Sequence, residues 1–362
     1  MGKYQFYSLK PILAKNCRYN MIFGERSKGK TTAILEYCIE RYHQYGEQSA
    51  YVRRWDTDIT GKRASAVFTD LETRNRIRAL TKNEWSGVYY YASKWYLCRY
   101  DEEGKRDVDE KPFMFGFALS SQEHDKGASF PGITTIFFDE FLSRTVYHPD
   151  EFVIFCQVLS TIIRHRDNVK IFMAGNSITK YCPYFSEMGI TNIKKMQPGT
   201  IDVYTYGESG LSVAVEYTEP DKRGKSSDIY FAFKNPKLSM ITGGGWELAI
   251  YPHCPCKYVP GDIVFTYLIY FDGELLQADV INTGEMFFTF IHRKTTKIQN
   301  PDDDLIYSPE FSAKPNWRRN ITKPGNDTER AIARYFARDK VFYQDNEIGD
   351  IVHNYLKWCG KN

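Results

Sequence analysis

Apolar and polar residues alternate in two patterns along the first half of the chain. Compact apolar runs, which are typical of buried strands, lie at 19–23, 50–55, 133–138 and 169–174. Apolar residues at helical spacing predict helices over 31–42 and 150–164, and the polar stretch 56–85 is expected to be mostly helical. This alternation of strand and helix predicts an α/β domain with a mostly parallel sheet covered on both faces.

Other segments have an antiparallel pattern. Strands are predicted at 88–92, 95–100 and 113–120, with a turn at 101–105. Later runs at 263–271, 275–281 and 286–291 predict a meander, in which the Asp272-Gly273 pair forms the first turn. A helical tail follows over 329–358, with a break near 346–349.

The pattern also predicts where the domains divide. Loop-like composition at 221–227 and 243–245 suggests a linker or small connecting subdomain over 201–250. We therefore expect a first domain at 1–200 and a smaller α+β domain at 251–362. The length of 362 residues agrees with two domains, since single domains cluster at about 100–150 residues.

Composition excludes a disordered chain. The sequence has 27 Tyr, 24 Phe and 6 Trp, whereas disordered chains are poor in aromatic residues. The formal net charge is only +3, so any surface for nucleic acid must be a local concentration of charge. The eight cysteines lie in apolar surroundings without zinc-site spacing, which favours free thiols in a reducing compartment.

The N-terminal residues contain Lys and Tyr where a signal peptide would be apolar, and no segment is apolar enough to span a membrane. We therefore expect an intracellular protein without membrane contact.

Residues 24–31 read GERSKGKT and fit the phosphate-binding pattern G-x-x-x-x-G-K-[ST] at every position. A strand pattern precedes them and a helix pattern follows, as this loop requires. Lys30 is expected to reach the β- and γ-phosphates of ATP, and Thr31 to ligate Mg²⁺. The predicted ATP-binding residues are Gly24, Glu25, Arg26, Ser27, Lys28, Gly29, Lys30, Thr31 and Thr32.

A second acidic motif completes this site. The apolar run 133–138 ends in Asp139 and Glu140, so Asp139 is expected at the sheet edge near the Mg²⁺. Because side chains alternate along a strand, the Glu140 side chain is predicted to lie on the opposite face of the strand from that of Asp139. There it could polarise the attacking water. The separation of 109 positions between Lys30 and Asp139 leaves room for an additional strand. A catalytic Glu favours an ATP-driven motor over a nucleotide kinase.

Three further polar residues have alternative interpretations. Asn176 follows a strand, where its amide could sense the γ-phosphate or merely form a turn. Arg164 and Arg166 end a predicted helix, where cations commonly interact with the helix dipole. The functional alternative is an arginine finger, presented to a neighbouring subunit to stabilise charge during phosphoryl transfer.

Several blocks of residues lie in and around these motifs. They are Phe6-Tyr7, Arg26 within the loop, YGEQ at 45–48, YVRR at 51–54, FDEF at 138–141, Arg164-x-Arg166 before Asn176, and PYF at 183–185. In these blocks the sequence resembles the ring-forming DNA-packaging ATPases of small podophages related to phi29. The resemblance covers about residues 4–190. It implies a P-loop fold of the additional-strand, catalytic-Glu type and a homomeric ring, with five subunits suggested by the family.

The resemblance further implies ATP-driven translocation of double-stranded DNA into a procapsid through its portal, in the host cytoplasm. Arg26 would act in catalysis, Arg164 or Arg166 would act in trans, and the block alignment favours Arg164. A scaffold RNA is a possible further partner. The C-terminal domain would be RNase H-like and without its metal cluster, so we do not expect nuclease activity from Asp272, Asp279, Glu285 or the acids at 302–304.

Basic residues are concentrated between positions 313 and 340, a segment that contains eight Lys and Arg but only three Asp and Glu. Phosphate contact or portal contact is predicted for Lys314, Trp317, Arg318, Arg319, Arg330, Arg334 and Arg338. A solvated helix face explains the stripe of Arg330, Arg334 and Arg338 equally well. The leading hypothesis is thus a viral packaging motor, with a non-viral nucleic-acid motor and a non-catalytic, nucleotide-gated binding module as alternatives.

Overall fold

The computed structural model describes residues 7–26, 28–121, 129–143, 147–176, 179–219 and 249–359. These residues fall into two compact units. The first lies within Met1–Ser143, Asp150–Lys180 and Glu187–Trp246, and the second within Arg144–Pro149, Tyr181–Ser186 and Glu247–Asn362. Phe6, Ser27 and the loop-like segments predicted at 221–227 and 243–245 lie outside the described residues.

The first unit is built on a ten-stranded sheet. Its strands are β1 (Tyr19–Gly24), β2 (Gln48–Arg53), β3 (Gly87–Tyr91), β4 (Lys94–Tyr100), β5 (Arg106–Val108), β6 (Met114–Ala118), β7 (Ile133–Asp139), β8 (Lys170–Asn176), β9 (Thr200–Tyr206) and β10 (Leu211–Tyr217). The order is β3-β4-β6-β2-β7-β8-β1-β10-β9, with β5 paired to β4. Strands β6, β2, β7, β8, β1 and β10 run parallel, as the apolar runs predicted for most of them.

One strand lies between the strand that leads into the phosphate-binding loop and the strand that ends in the acidic motif. Strand β8 lies between β1, which leads into the loop 24–31, and β7, which ends at Asp139. The carboxyl ends of all three strands therefore meet at one edge of the sheet, where α/β proteins bind their ligands. The predicted additional-strand type of fold is confirmed.

The predicted linker begins too early. Strand β10 pairs in parallel with β1, and β9 pairs antiparallel with β10, so residues 200–217 complete the first sheet. In β10 the alternation of apolar and polar residues is weak, because this strand is buried on both faces over much of its length. A strand of that kind lacks the period-2 pattern by which a half-exposed strand is recognised.

Helices of the first unit cover or flank the sheet. They are α1 (Lys10–Leu13), α2 (Lys30–Tyr45), α3 (Gly61–Ser65), α4 (Thr69–Thr73), α5 (Arg76–Leu80) and α6 (Glu151–Ile163). Helix α7 (Pro183–Glu187) follows β8 in the chain, and its residues 183–186 belong to the second unit. Helix α2 begins after Gly29 and ends before Gly46. Both glycines have a left-handed backbone, which at Gly46 is the usual way to end a helix. The helices predicted over 31–42 and 150–164 are confirmed with small shifts of their ends.

Besides residues 183–186 of α7, the described part of the second unit contains a six-stranded sheet and two longer helices. Its elements are β11 (Ile263–Phe271), β12 (Glu274–Asn282), β13 (Phe287–Arg293), β14 (Ile306–Tyr307), β15 (Trp317–Arg318), α8 (Asp327–Ala337), β16 (Val341–Tyr343) and α9 (Asn346–Cys359). The order β15-β14-β11-β12-β13-β16, antiparallel within the meander and parallel outside it, agrees with the predicted RNase H-like α+β class.

The break in the C-terminal helical tail lies earlier than predicted. Strand β16 separates α8 from α9 and pairs with β13. Three apolar residues are too few to distinguish a strand from a helical turn in sequence, and the pairing is decided by the neighbouring strand.

All eight cysteines are free thiols, as predicted. No helix among the described residues is both long enough and apolar enough to cross a bilayer.

Candidate nucleotide site

The loop after β1 encloses the side chain of Lys30. Gly24 has φ +149° and Gly29 has φ +87°, conformations that L-amino acids with side chains rarely adopt. Lys30 is the first residue of α2, and its Nζ donates to the carbonyl oxygens of Glu25 at 2.6 Å and Gly24 at 3.3 Å. The ammonium is thus held at the helix N-terminus, where anions are favoured.

Burial sets the charge state of Lys30. Desolvation lowers the pKa of its ammonium to about 8, and the nearby Asp139 carboxylate opposes this change. Close to that pH, a bound phosphate would favour the protonated form, because an adjacent anion stabilises an ammonium.

Thr31 and Asp139 connect the two motifs. The Thr31 hydroxyl donates to Asp139 Oδ1 at 3.0 Å, while the Tyr51 hydroxyl donates to Oδ2 at 3.0 Å. Burial raises the pKa of the Asp139 carboxyl, against the lowering effect of the nearby Arg53. A threonine hydroxyl beside a carboxylate supplies the hard oxygen donors that suit Mg²⁺, so these residues fit the predicted metal position.

Glu140 does not point away from Asp139 as strand alternation predicted. The strand ends at Asp139, and Glu140 adopts φ +59°, which turns the chain. Its carboxylate accepts from Arg53 Nη2 at 2.8 Å, and Arg53 Nη1 donates to Asp139 Oδ2 at 3.2 Å. One guanidinium therefore joins the two acids of the motif.

Sequence reasoning missed Arg53 as a site residue. It lies at the end of β2, next to β7 in the sheet, so its proximity to Asp139 depends on strand order. The only sequence indication was its place in the YVRR block at 51–54, which carried no chemical assignment.

The adjacent Arg54 fixes the turn that carries Glu140. Arg54 Nη1 donates to the Glu140 carbonyl at 3.1 Å and Nη2 to the Phe141 carbonyl at 2.9 Å. Two further 2.8 Å hydrogen bonds join its guanidinium to the buried carboxylate of Glu151 at the start of α6. The backbone of the acidic motif is thus anchored by a buried ion pair.

A cavity of about 290 Å³ lies at this edge of the sheet. Its lining combines the predicted Lys28, Gly29, Lys30, Thr31, Thr32 and Asn176 with the unpredicted Asp70 and Arg74. Asn176 ends β8, and its backbone is in register with Gly24 of β1. The structure therefore brings Asn176 to the loop, while Arg26 is exposed at the surface.

The N-terminal segment also meets the loop. The Tyr7 backbone N–H donates to the Lys28 carbonyl at 3.1 Å, and the Tyr7 hydroxyl donates to Glu216 on β10 at 2.6 Å. Burial raises the pKa of the Glu216 carboxyl.

The two candidate finger arginines have different surroundings. The Arg166 guanidinium donates to main-chain carbonyls that include Phe130, Pro131 and Ile162, and it joins the end of α6 to the start of β7. Arg164 is exposed and follows α6 with φ +51°. Arg166 contacts the start of β7, about 20 Å by strand length from the end of β7 that carries Asp139. Neither arginine lines the cavity beside Lys30.

Several residues of the predicted C-terminal basic patch are engaged in ion pairs. Lys314 contacts Asp302 at 2.8 Å, Arg318 contacts the buried Glu329 at 2.9 Å, and Arg330 contacts Asp327. Arg319, Arg334 and Arg338 are exposed, while Trp317 is half-buried with its ring 6.3 Å from that of Tyr270. The positive charge available to phosphates is thus smaller than the sequence count indicated.

The acids of the second unit are dispersed. Asp272 forms the predicted turn with φ +52°, and Asp279 accepts hydrogen bonds from Thr266 and Gln277 beside His292. Within the described ranges, no three His, Cys, Asp or Glu residues are grouped to hold a metal. The lack of nuclease activity stays a prediction.

The fold and the loop define a P-loop nucleotide-binding protein of the additional-strand class. A family model described as podovirus DNA encapsidation protein (Gp16) matches residues 1–85 and 102–204, so the chain belongs to that family. The resemblance to phage packaging proteins is thereby confirmed, and the alternative of a non-viral motor is set aside.

Individual proteins agree with this assignment. The DNA packaging protein of Bacillus phage phi29 is 27% identical over 302 residues, which cover 82% of each chain. Two solved assemblies share the fold: the Phi-28 gp11 DNA packaging motor (TM-score 0.57, 16% identity, 99% of both chains) and the bacteriophage Phi-29 genome packaging motor assembly (TM-score 0.55, 18% identity, 98% of this chain and 99% of that chain).

Proposed function

We propose that this chain is the ATP-hydrolysing subunit of a ring that moves double-stranded viral DNA into a procapsid through its portal. The observation that carries the proposal is the continuous set of contacts from Thr31 through Asp139 and Arg53 to Glu140 beside the Lys30 loop. Such a site combines a phosphate cradle, a metal position and a carboxylate that can orient water.

In this proposal each residue has one role. Lys30 and the backbone N–H groups of residues 28–32 hold the phosphates, and Asn176 lies where it can contact the γ-phosphate. Thr31 and Asp139 would hold Mg²⁺, which neutralises phosphate charge when bound. Glu140 orients the attacking water after its carboxylate leaves Arg53.

The same proposal covers the partners. A neighbour's Arg164 completes the site, which makes a homomeric ring necessary, and five subunits are the number suggested by resemblance. DNA, the portal and a scaffold RNA are the proposed partners in the host cytoplasm. Arg334 and Arg338, exposed at the end of α8, are retained as candidates for phosphate contact.

Substitution of Glu140 tests the hydrolytic step. Glu140→Gln is expected to retain ATP binding and assembly but to lose at least about a hundredfold in hydrolysis, because an amide cannot accept the proton of water. Phosphate release would be measured with and without double-stranded DNA. Lys30→Ala is the matched control and should lose nucleotide binding itself. Hydrolysis by Glu140→Gln at the parental rate would overturn the assignment, and slow parental turnover that DNA does not stimulate would instead favour a nucleotide-gated binding module.

The two arginines provide a test of action in trans. Arg164→Ala is expected to retain assembly and nucleotide binding while losing about 10³-fold in hydrolysis. Arg166→Ala, the control, should mainly lower the melting temperature, because it removes hydrogen bonds that join α6 to β7.

Mixed rings extend this experiment. Arg164→Ala and Lys30→Ala subunits are each inactive alone, but some interfaces of a mixed ring pair an intact cavity with an intact arginine. Partial recovery of hydrolysis on mixing is expected. If no mixing ratio restores activity, the shared site is wrong.

A further inference from the structure

The hairpin at the edge of the first sheet presents an outer face of aromatic and basic side chains. Strands β3, β4 and β5 are antiparallel, and their register places one set of side chains on the same side. The accessible part of that side, here called the outer face, consists of Tyr89, Tyr91, Lys94, Tyr96, Tyr100 and Arg106. Gly87 and Cys98 lie on the same side but are buried. The opposite side includes the buried Trp95 and Leu97 and packs on the core of the unit.

The rings of the outer face are ordered and accessible. Tyr89 and Tyr91 are nearly parallel, with an interplanar angle of 8° and centroids 6.5 Å apart. The ring of Tyr96 is also 6.5 Å from that of Tyr89. Tyr91 is 63% exposed and Tyr100 is 57% exposed, so both leave large apolar surfaces in water.

The turn that positions Tyr91 and Lys94 is strained. Ala92 and Ser93 form a two-residue connection with φ +47° and +57°, values that usually select glycine or asparagine. The Gly116 N–H donates to the Ser93 carbonyl at 2.7 Å and anchors this turn to the neighbouring strand. This hydrogen bond fixes the turn of the hairpin to β6.

The two cations of the outer face contact rings rather than acids. The Arg106 guanidinium lies 4.3 Å from the centroid of Tyr89, and Lys94 Nζ lies 5.9 Å from that of Phe115. Within the described ranges neither cation is within ion-pair distance of an acid, although the Glu72 carboxylate lies on the same side of the hairpin, beside Gly87 and Cys98. On the opposite side of the hairpin, Arg99 is paired with Asp107, so the acid of β5 does not neutralise the outer face.

This combination is selective for one kind of ligand. Parallel, exposed rings on a sheet can stack with planar bases, and unpaired cations attract the phosphates between them. In a duplex, neighbouring base pairs cover the base faces, so a stacking surface suits unpaired nucleotides. The C-terminal basic patch differs, because acids already pair with three of its cations.

Strands β3 and β4 of the hairpin also lie outside the part of the chain that matches the family model, whereas β5 with Arg106 lies within it. The matched residues stop at 85 and resume at 102, and β3 and β4 lie in the interval. A role carried by these strands is therefore one that the family assignment does not supply.

We propose that the outer face of the β3–β4–β5 hairpin binds a single-stranded segment of nucleic acid, with bases stacked on Tyr91 and Tyr100 and phosphates held by Lys94 and Arg106. The site goes beyond the proposed motor function and does not require ATP. It can be occupied by unpaired DNA or by unpaired RNA, which present the same bases and phosphates.

Oligonucleotide binding tests the proposal in the full chain without nucleotide. Fluorescence anisotropy would be measured with labelled dT15, rU15 and a 15-base-pair DNA duplex. Tyr91→Ala and Tyr100→Ala are each expected to weaken single-strand binding about tenfold, while Tyr91→Phe keeps the ring and the affinity. Arg106→Ala should reduce the slope of log affinity against log salt by about 0.7.

The chain offers a matched control. Tyr45 is 62% exposed and has the Arg41 guanidinium 4.2 Å from its ring, but it lies at the end of α2, outside the hairpin. Tyr45→Ala should leave oligonucleotide affinity unchanged. A parallel set of measurements in the Lys30→Ala chain separates this proposal from the ATPase proposal, since binding should persist there without nucleotide.

Three results would overturn the proposal. One is unchanged single-strand affinity in the Tyr91→Ala, Tyr100→Ala double variant, with circular dichroism confirming its fold. Another is an equal loss for Tyr45→Ala, which would indicate a nonspecific effect. The third is loss of self-association without any loss of oligonucleotide binding, which would make the face a contact between copies. The ratio of the affinities for dT15 and rU15 shows whether the outer face prefers unpaired DNA or unpaired RNA.

Discussion

Burial changes the pKa values of two side chains in the candidate nucleotide site, Lys30 and Asp139. Lys30 is enclosed by its own loop and hydrogen-bonded to two carbonyl groups, so its ammonium loses much of its hydration. The same burial acts in the opposite direction on Asp139, whose pKa is raised although Arg53 is adjacent. Both residues thus respond to a nearby ligand charge more strongly than exposed residues would.

The pKa of Lys30 predicts how nucleotide binding varies with pH. Since burial lowers it to about 8, the charged form that attracts phosphate predominates below pH 8 and is lost above it. ATP affinity is therefore expected to fall about tenfold between pH 7 and pH 9, by proton linkage. Titration calorimetry at both pH values measures this change.

The control for that experiment is Lys30→Arg. Arginine stays protonated throughout this range, so its ATP affinity, whatever its absolute value, should vary little with pH. An equally steep fall in Lys30→Arg would show that another group controls the pH dependence.

At the scale of elements, the turn after β7 depends on a buried contact between two distant segments. Arg54 extends from the end of β2 to Glu151 at the start of α6, and it also holds the carbonyls of Glu140 and Phe141. The position of Glu140, the proposed catalytic residue, is therefore coupled to the packing of α6 against the sheet.

Removal of Arg54 should destabilise the first unit. Arg54→Met leaves the Glu151 carboxylate buried without this partner, and we expect the free energy of unfolding to fall by about 3–5 kcal/mol. Denaturant unfolding measures this quantity. The Arg54→Met, Glu151→Gln double variant should recover part of the loss because it removes the buried charge, whereas additive losses would contradict the explanation.

At the scale of the whole molecule, the proposed nucleotide contacts belong to the first of two compact units. Ligand binding stabilises the native state of whatever it contacts, by about 2.7 kcal/mol at a hundredfold excess over Kd. Amide hydrogen exchange with a non-hydrolysable ATP analogue should therefore slow in β1, α2 and β7. Exchange in β11, β12 and β13 should change much less, and comparable slowing there would contradict a site confined to the first unit. Lys30→Ala is the control in which the analogue should have no effect.

Much of this architecture could be predicted from local patterns. The glycines and Lys30 of the phosphate-binding loop, the apolar run ending in Asp139, and the meander with its Asp272-Gly273 turn each depend on residues close in sequence. Backbone conformation and strand or helix periodicity act over a few residues, so the sequence by itself determined these elements and the class of chemistry.

Tertiary structure decided how distant residues combine. Arg53 joins Asp139 to Glu140 only because β2 and β7 are neighbours, and β10 belongs to the first sheet only because it pairs with β1. The ion pairs that neutralise part of the C-terminal basic patch likewise link residues from different segments. Pairing order and burial are properties of the assembled chain, and no local pattern of hydrophobic and polar residues specifies which distant groups will meet.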